Sequence, residues 1–236
     1  MSVSGIDSMT AYLKEANVED SEKEWLFLQG MSADEAWPSD RYSGMTREYF
    51  EETVLPSIIM HSRGEGLEEG RVPETTLFLW DGDEIVGQFR IRHHLNDALR
   101  SGAGHIGYYI REDRRGRGYA SEGLRQALAL ARDIIAEDEI YFRVRNGNAP
   151  SLRVILKNGG YVVSRNEQNV YLRIGKRMVE RRTGFDLCYC IQRATASAMV
   201  VHQRMPVFGS VSDQISRTAK PLDSARSRSD PCVMSV

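Results

Sequence analysis

The segment from His105 to Ile135 constrains the fold more than any other part of the sequence. Residues HIGYYI (105–110) have the apolar and aromatic character of a strand. They lead into a loop, REDRRGRGYA (111–120), that contains two glycines and the arginines Arg114, Arg115 and Arg117. Residues 121–135 then place apolar side chains at helical spacing, at positions 124, 127, 128, 131 and 135. This order predicts a strand, a tight loop and a helix that begins directly after the loop.

A loop of this kind predicts an anion site. Glycines allow the backbone to turn its N–H groups toward one point, and the helix N-terminus adds partial positive charge, which suits a pyrophosphate. The P-loop pattern G-x-x-x-x-G-K-[ST] is absent. A dinucleotide fingerprint also fits poorly, because the glycine series ends in Ser121 and the acids Asp138 and Glu139 precede the next strand. A glycine-rich turn held by surface arginines is the structural alternative.

The residues before this segment alternate between strand and helix patterns. Residues 9–14 predict a first strand, and residues 18–30 predict a helix that ends at Gly30. Thr46 can cap a second helix, which Pro56 is expected to bend or end. Residues 63–74 predict a polar, glycine-rich loop.

The central strands give the clearest pattern. The strand ending in TLFLW (75–80) and the strand EIVGQFRIRH (84–93) flank Asp81-Gly82-Asp83, a hairpin signature. In the second of these strands, alternation predicts one face made of Ile85, Gly87, Phe89, Ile91 and His93. A strand at 140–144, a short helix from Pro150 to Asn158 and a hairpin over 161–174 complete the pattern. The order predicts an α/β (α+β) fold with a largely antiparallel sheet.

The loop and the order of parts around it resemble one family. R115-x-x-G118-x-A120 resembles the R/Q-x-x-G-x-G/A pyrophosphate loop of the GNAT superfamily of acyl-CoA-dependent N-acetyltransferases. The following helix, the strand 140–144, N148-A-P-S151 and G160-Y161 occur in the order that this family has. The resemblance is good over residues 75–175 and weaker over 1–74. Within the superfamily, the sequence is similar to a bacterial branch of predicted acetyltransferases without an assigned substrate. The resemblance implies a central, mostly antiparallel twisted sheet flanked by helices and splayed at the strand that binds the cofactor.

The resemblance also implies roles for particular residues, with acetyl-CoA as the acyl donor and no metal. The backbone of Tyr109, Ile110 and Arg111 would pair with the pantetheine arm. The pyrophosphate would be held by the N–H groups of Arg115, Gly116, Arg117, Gly118, Tyr119 and Ala120, with positive charge from Arg114, Arg115 and Arg117. Asn148 and Ser151 would bond the pantetheine or cap the short helix, and capping is the stronger expectation for Ser151.

The catalytic groups are harder to assign from the sequence. A lysine-like amine has a pKa of about 10.4, so about one molecule in 10³ is neutral at pH 7 and a base or a relaying water is needed. Backbone N–H groups near Tyr109 and Ile110 could stabilise the oxyanion. Many GNAT enzymes carry a proton-donating Tyr seven residues after the Asn, but that position is Ile155 here. The candidates are therefore His93, His94 and Tyr108, whereas His105 and Glu84 are left without a role.

Composition bounds the remaining possibilities. The 236 residues carry 31 Lys+Arg and 33 Asp+Glu, and this balance argues against a dedicated nucleic-acid binder. No apolar run is long enough for a membrane span, and no secretory signal is visible, so a cytoplasmic location is expected. Residues 177–236 hold nine Lys+Arg, five Asp+Glu and all three Cys, which predicts a basic, largely disordered tail after a GNAT domain over 1–176.

Two functions remain open at this point. The first is an acetyl-CoA-dependent N-acetyltransferase that transfers the acetyl group directly to a primary amine of a small-molecule or protein acceptor. A homodimer is compatible with this function. The alternative is a non-catalytic acyl-CoA-binding or sensing module. The missing Tyr slightly favours the alternative, while the intact loop and the histidine-bearing strand favour the enzyme. Acceptor contacts are expected from the early helices and from the loops at 61–74 and 95–104.

Overall fold

The computed structural model describes residues 11–31, 42 and 44–179, which form seven strands and six α-helices in the described ranges. The strands are β1 (Tyr12–Glu15), β2 (Glu74–Asp81), β3 (Glu84–Arg92), β4 (Ile106–Ile110), β5 (Glu139–Arg145), β6 (Tyr161–Arg165) and β7 (Asn169–Gly175). The helices are α1 (Ser21–Gln29), α2 (Arg47–Tyr49), α3 (Leu55–Ser62), α4 (Asp97–Ser101), α5 (Tyr119–Ile134) and α6 (Ala149–Lys157). Each strand and helix listed in the sequence analysis is present, with small shifts at its ends.

The strands form two antiparallel sheets. One has the order β1-β2-β3-β4 and the other the order β5-β7-β6. The predicted hairpin joins β2 to β3 through Gly82, whose φ of 59° requires glycine-like freedom. This mixed α/β architecture, with antiparallel sheets flanked by helices, confirms the predicted fold class.

Apolar side chains pack on both faces of the four-stranded sheet. On one face, Leu124, Ala127 and Leu128 of α5 belong to a buried cluster with Phe89 and Leu79, so the predicted helical stripe is confirmed. On the other face, residues of α1 and α3 cover Phe78 and Trp80. Gly123 lets α5 approach closely, because a Cβ at this position would meet Cζ of Phe89 at 2.4 Å. The position of α5, and thus of the loop before it, is set by this packing.

A β-bulge changes the predicted face of one residue. The pairing of β2 with β3 shifts between Leu79 and Trp80, so that Leu79 faces Gly87 while Trp80 faces Ile85. Ile85 therefore packs with Trp80 on the α1 side of the sheet, and Val86 joins Phe89 on the α5 side. The prediction that Ile85 shares a face with Phe89 is wrong, because an extra residue in one strand reverses the alternation beyond it.

Pro56 neither ends nor interrupts the helical segment. Thr46 caps it as predicted, since its hydroxyl accepts a hydrogen bond from the N–H of Tyr49 at 3.2 Å. A π-helical turn, Phe50–Val54, joins α2 to α3 and places Pro56 in the first turn of α3. Proline in a regular helix clashes with the carbonyl four residues before it, and the π-helical turn changes the spacing here, since the N–H of Leu55 donates to the carbonyl of Phe50 five residues back. The helical chain consequently continues to Ser62.

The described chain ends slightly beyond the predicted domain boundary. Val179 is buried in the main cluster, and its carbonyl accepts a hydrogen bond from Nη1 of Arg132 at 3.1 Å. The rest of the predicted tail, residues 180–236 with all three Cys, lies outside the described residues. We therefore propose that the folded domain extends to Val179.

Glu24 of α1 is a buried carboxyl whose pKa is raised to about 8, chiefly by burial. Its Oε1 accepts the N–H of Asn17 at 3.0 Å, and Oε2 has no hydrogen-bond partner among the described residues. Between pH 4.5 and about 8 the unfolded chain releases a proton that the folded chain keeps, so stability falls as pH rises through this window.

We expect Glu24→Gln to remove this pH dependence. The variant should unfold near the parental temperature at pH 4.5 and become more stable than the parent by on the order of a few kcal/mol at pH 8. Thermal unfolding followed by circular dichroism across this range measures the difference, with Glu19→Gln, at an exposed residue, as the control for charge. A stability difference that does not grow with pH would contradict the assignment.

Candidate active site

The loop between β4 and α5 presents a row of free backbone amides. Gly116 and Gly118 have φ values of 77° and 93°, and Gly118 is the N-cap of α5. No hydrogen-bond acceptor within the described ranges pairs with the N–H groups of the five residues from Gly116 to Ala120. The N–H of Arg115, which the prediction included, instead donates to the carbonyl of Glu112 at 3.2 Å. These five amides, here called the cradle, lie at the positive end of a 16-residue helix. The geometry is that of an anion site.

The arginines around the cradle have different tasks. Arg115 folds back over the ring of Tyr109, with 5.5 Å from its guanidinium carbon to the ring centroid, and its Nε donates to the carbonyl of Ile110 at 3.0 Å. Arg114 pairs with Glu84. Arg117 is exposed and forms no ion pair with any described residue. Arg114 and Arg115 thus contact the protein itself, and the guanidinium of Arg117 stays exposed to solvent.

Tyr119 ties the start of α5 to the sheet. Its hydroxyl donates a hydrogen bond to Oδ2 of Asp81 at the end of β2, and this bond is the main reason that the pKa of Tyr119 is raised. The side chain of Tyr119 is buried, so it is the backbone of this residue that belongs to the cradle.

The backbone of β4 alternates in direction along its length. The N–H of Arg111 donates to Val86 at 3.0 Å and that of Arg92 to His105 at 2.9 Å, which fixes the hydrogen-bonded pairs of the β3–β4 ladder. Tyr109 and Arg111 therefore direct their N–H groups toward β3, whereas Tyr108 and Ile110 direct theirs away from it. This register is at odds with the prediction that the backbone of Tyr109 and Arg111 faces the cofactor, since the N–H groups directed away from β3 are those of Tyr108 and Ile110.

A gap opens between β4 and β5 on this free edge. In the part of the chain that the structure describes, the two strands belong to different sheets and are bridged between Gly104 and Phe142, next to the start of β4. The gap runs from this closed end toward the cradle. A splayed sheet at the predicted cofactor strand is therefore present.

The N-terminus of α6 lies across the gap. Oδ1 of Asn148 accepts the N–H of Ser151 at 3.1 Å, so Asn148 caps this helix and the expectation that Ser151 does so is wrong. Ser151 lies in the first turn of the helix. The amide nitrogen of Asn148 has no partner among the described residues and can donate to a ligand.

Tyr108 is the predicted catalytic candidate that the structure brings to the gap. Its hydroxyl donates to the carbonyl of Ser151 at 3.4 Å, and its ring stacks on Phe89 with 5.4 Å between centroids. Burial raises the pKa of Tyr108 to about 12, so the phenol remains protonated at neutral pH. Ile155, in contrast, is buried in the core. Tyr108 therefore presents a protonated hydroxyl beside the N-terminus of α6.

His93 and His94 follow β3 near the closed end of the gap, at the end of α5 opposite the cradle. Nε2 of His93 is 2.8 Å from Oγ1 of Thr75, and the carbonyl of His93 accepts the N–H of Ala136, just beyond the C-terminus of α5. The cradle is at the other end of α5, about 24 Å away for 16 residues at about 1.5 Å each. His94 is exposed in the following loop. Because β3 and β4 are antiparallel, the end of β3 meets the start of β4 rather than its end.

A cavity of about 100 Å³ lies on the face of the four-stranded sheet that is opposite α5, between α3 and the strands β2 and β3. Its floor carries Glu74, which pairs with Nε of Arg92 at 3.2 Å and with Nη1 of Arg90 at 3.6 Å. The lining residues are Tyr42, Ile58, His61, Glu68, Arg71, Glu74, Thr76 and Arg90. Most of them come from the early helices and the 61–74 loop, where acceptor contacts are expected.

Two classes of site are not seen in the described ranges. No group of three or more His, Cys, Asp or Glu side chains is placed there to hold a metal ion. None of the helices described is both long enough and apolar enough to cross a bilayer.

Comparison with known proteins agrees with this geometry. The model of the acetyltransferase (GNAT) domain family matches residues 14–160, so the match reaches well into the N-terminal half where the resemblance is weaker. No curated protein sequence matches the chain significantly.

Solved structures with the same fold are similar at low sequence identity. RimJ from Mycobacterium smegmatis, solved with CoA-disulfide, is 18% identical, with a TM-score of 0.50 over 80% of this chain and 89% of that one. A probable acetyltransferase is 15% identical, with a TM-score of 0.52 over 71% of this chain and 93% of that one. Because the family model covers more than half of the sequence, the chain belongs to the GNAT acetyltransferase family.

Proposed function

We propose that the protein is an acetyl-CoA-dependent N-acetyltransferase that transfers an acetyl group directly to a primary amine. The observation that carries this proposal is the cradle, whose five unpartnered amides lie at the end of an open gap in the sheet. Left-handed glycines and the exposed Arg117 fit a pyrophosphate at this position. When bound, acetyl-CoA supplies an activated thioester carbonyl.

The residues along the gap fit the rest of the reaction. The N–H of Ile110 points away from β3 and can donate to the carbonyl oxygen of the thioester, where negative charge develops. The hydroxyl of Tyr108 can give its proton to the leaving sulfur, and Asn148 can donate to the pantetheine amide. Because His93 is bonded to Thr75 at the end of α5 opposite the cradle and His94 is exposed, we propose that the attacking amine loses its proton to water.

We propose that the amine acceptor enters from the cavity on the α3 side of the sheet. Gln88 of β3 is 1% exposed on this face, and neither atom of its side-chain amide has a hydrogen-bond partner among the described residues. A buried amide without a partner costs about 1–3 kcal/mol, a cost that a polar ligand can offset. The cavity residues Thr76 and Arg90 lie on the same face as Gln88.

The direct test is thiol release. We expect full-length protein to release CoA from acetyl-CoA only when a suitable amine is added, and to yield an amide whose mass is that of the amine plus one acetyl group. A panel of small amines, amino acids and peptide N-termini, followed by a thiol-reactive dye and mass spectrometry, measures this. Binding of acetyl-CoA without turnover on any amine would favour the alternative, a non-catalytic acyl-CoA-binding module.

A further inference from the structure

The closed end of the gap is built around one buried imidazole. His105, directly before β4, is 0% exposed. Its backbone N–H donates to the carbonyl of Tyr141 in β5 at 2.8 Å, and its Nδ1 accepts the N–H of Tyr141 at 2.9 Å. The backbone and the side chain of a single residue thus bond both backbone groups of Tyr141, its carbonyl and its N–H. This pair joins the residue directly before β4 to the third residue of β5, the two strands that diverge around the gap.

The second ring nitrogen fixes the tautomer. Nε2 of His105 is 3.0 Å from Oε2 of Glu137, whose other oxygen accepts the N–H of Leu95 at 2.9 Å. Because Nδ1 accepts a hydrogen bond from an amide, the ring proton belongs on Nε2 and is donated to Glu137. Burial lowers the pKa of His105 despite this carboxylate, which keeps the ring neutral. The hydrogen bonds that connect His105 to β5 and to Glu137 therefore fit a single tautomer and orientation of the ring.

We propose that His105 is a positioning residue that sets the angle between β4 and β5 and thereby places Ile110 and Tyr108 against the thioester. This inference rests on the proposed function. Ile110 lies five residues beyond His105, about 16 Å along an extended strand. Because the ladder with β3 holds β4 in place, a change of about 10° in the angle at His105 would move the β5 side of the gap by about 3 Å relative to Ile110. A misplacement of about 1 Å can cost about 100-fold in rate.

Two isosteric variants separate the contacts of the ring. The Oδ1 of His105→Asn can take the place of Nδ1 and accept the N–H of Tyr141, whereas the amide of His105→Gln can replace Nε2 and reach Glu137. Each variant keeps one of the two ring contacts in a buried polar site. We expect kcat to fall at least about tenfold in His105→Gln and less than about threefold in His105→Asn. If His105 served only stability, the kcat of each variant would instead fall in proportion to the loss in its unfolding temperature.

Ligand binding provides a readout that does not depend on turnover. We expect His105→Gln to bind acetyl-CoA about tenfold more weakly than the parent, and to bind 3′-phosphoadenosine 5′-diphosphate, which lacks the pantetheine arm, with parental affinity. Calorimetry with both probes on folded, full-length protein measures this difference. Equal loss for both probes, or equal behaviour of the Asn and Gln variants, would overturn the proposal. If the parent binds acetyl-CoA but turns over no amine, the proposed function fails while these affinities still decide the role of His105.

Discussion

Replacing Gly118 by aspartate should abolish binding of acetyl-CoA. Gly118 has a φ of 93°, a conformation that side chains other than glycine seldom adopt, and it is the N-cap of α5 in the middle of the cradle. The new carboxylate would also lie beside a pyrophosphate. Two unit charges at about 4 Å near a protein surface repel by about 4 kcal/mol, or about 10³-fold in affinity. Isothermal calorimetry with acetyl-CoA measures the loss.

Two further variants separate the causes of that loss. Gly118→Asn adds a side chain of the same size without charge and tolerates left-handed backbone better than most residues, so it should retain weak binding. Gly175→Asp makes the same substitution at a φ of −69°, where the nearest neighbour of a new Cβ is Met178 at 3.9 Å, and should bind as the parent does. If Gly118→Asp bound acetyl-CoA with parental affinity, the cradle would not be part of the binding site.

The second large effect is expected at Tyr108. Tyr108→Phe keeps the ring that stacks on Phe89 but removes the proton available to the leaving sulfur. General acid catalysis contributes about 10²–10⁴-fold, so kcat should fall by at least about 100-fold while the affinity for acetyl-CoA stays near parental. Because the pKa of Tyr108 is about 12, the parental kcat should not decline on the basic side through loss of this proton until well above pH 10. Steady-state kinetics on an accepted amine from pH 6 to 10 measures both.

The control for Tyr108 is another tyrosine with a similar hydrogen bond. The hydroxyl of Tyr12 donates to a backbone carbonyl, that of Gly82, at the same 3.4 Å but at an exposed position. Tyr12→Phe, His93→Ala and His94→Ala should all retain near-parental kcat. If a histidine variant instead loses its activity together with the acid limb of the pH profile, the base lies directly after β3 and our placement of the chemistry is wrong.

Local patterns were sufficient for most of the fold and for the cradle. The helical stripe of α5, the turn at Gly82 and the glycines of the loop are each determined by residues close in sequence, so periodicity and backbone preference predict them. The family match confirms the resemblance stated from R115-x-x-G118-x-A120 and extends it toward residue 14.

The errors concern properties that only tertiary pairing determines. The sequence around Ile85 has no pattern that predicts the bulge, which turns this residue to the other face. The direction of the Tyr109 and Arg111 amides depends on their register with β3. His93 looks suitable for catalysis because of its residue type, but the antiparallel arrangement of β3 and β4 carries it to the far end of α5. The role of His105 has no sequence signal, since it depends on the distant Tyr141 and Glu137.

The free edge of β4 also has a consequence for aggregation of the protein in solution. An unpaired strand edge can recruit extended segments of other chains, which is a route to aggregation. A ligand that lies along this edge protects it and adds about 2.7 kcal/mol of stability at 100 times its dissociation constant. The lifetime of the protein should therefore follow the supply of acyl-CoA, so that a shortage of acyl donor lowers the amount of enzyme as well as its rate.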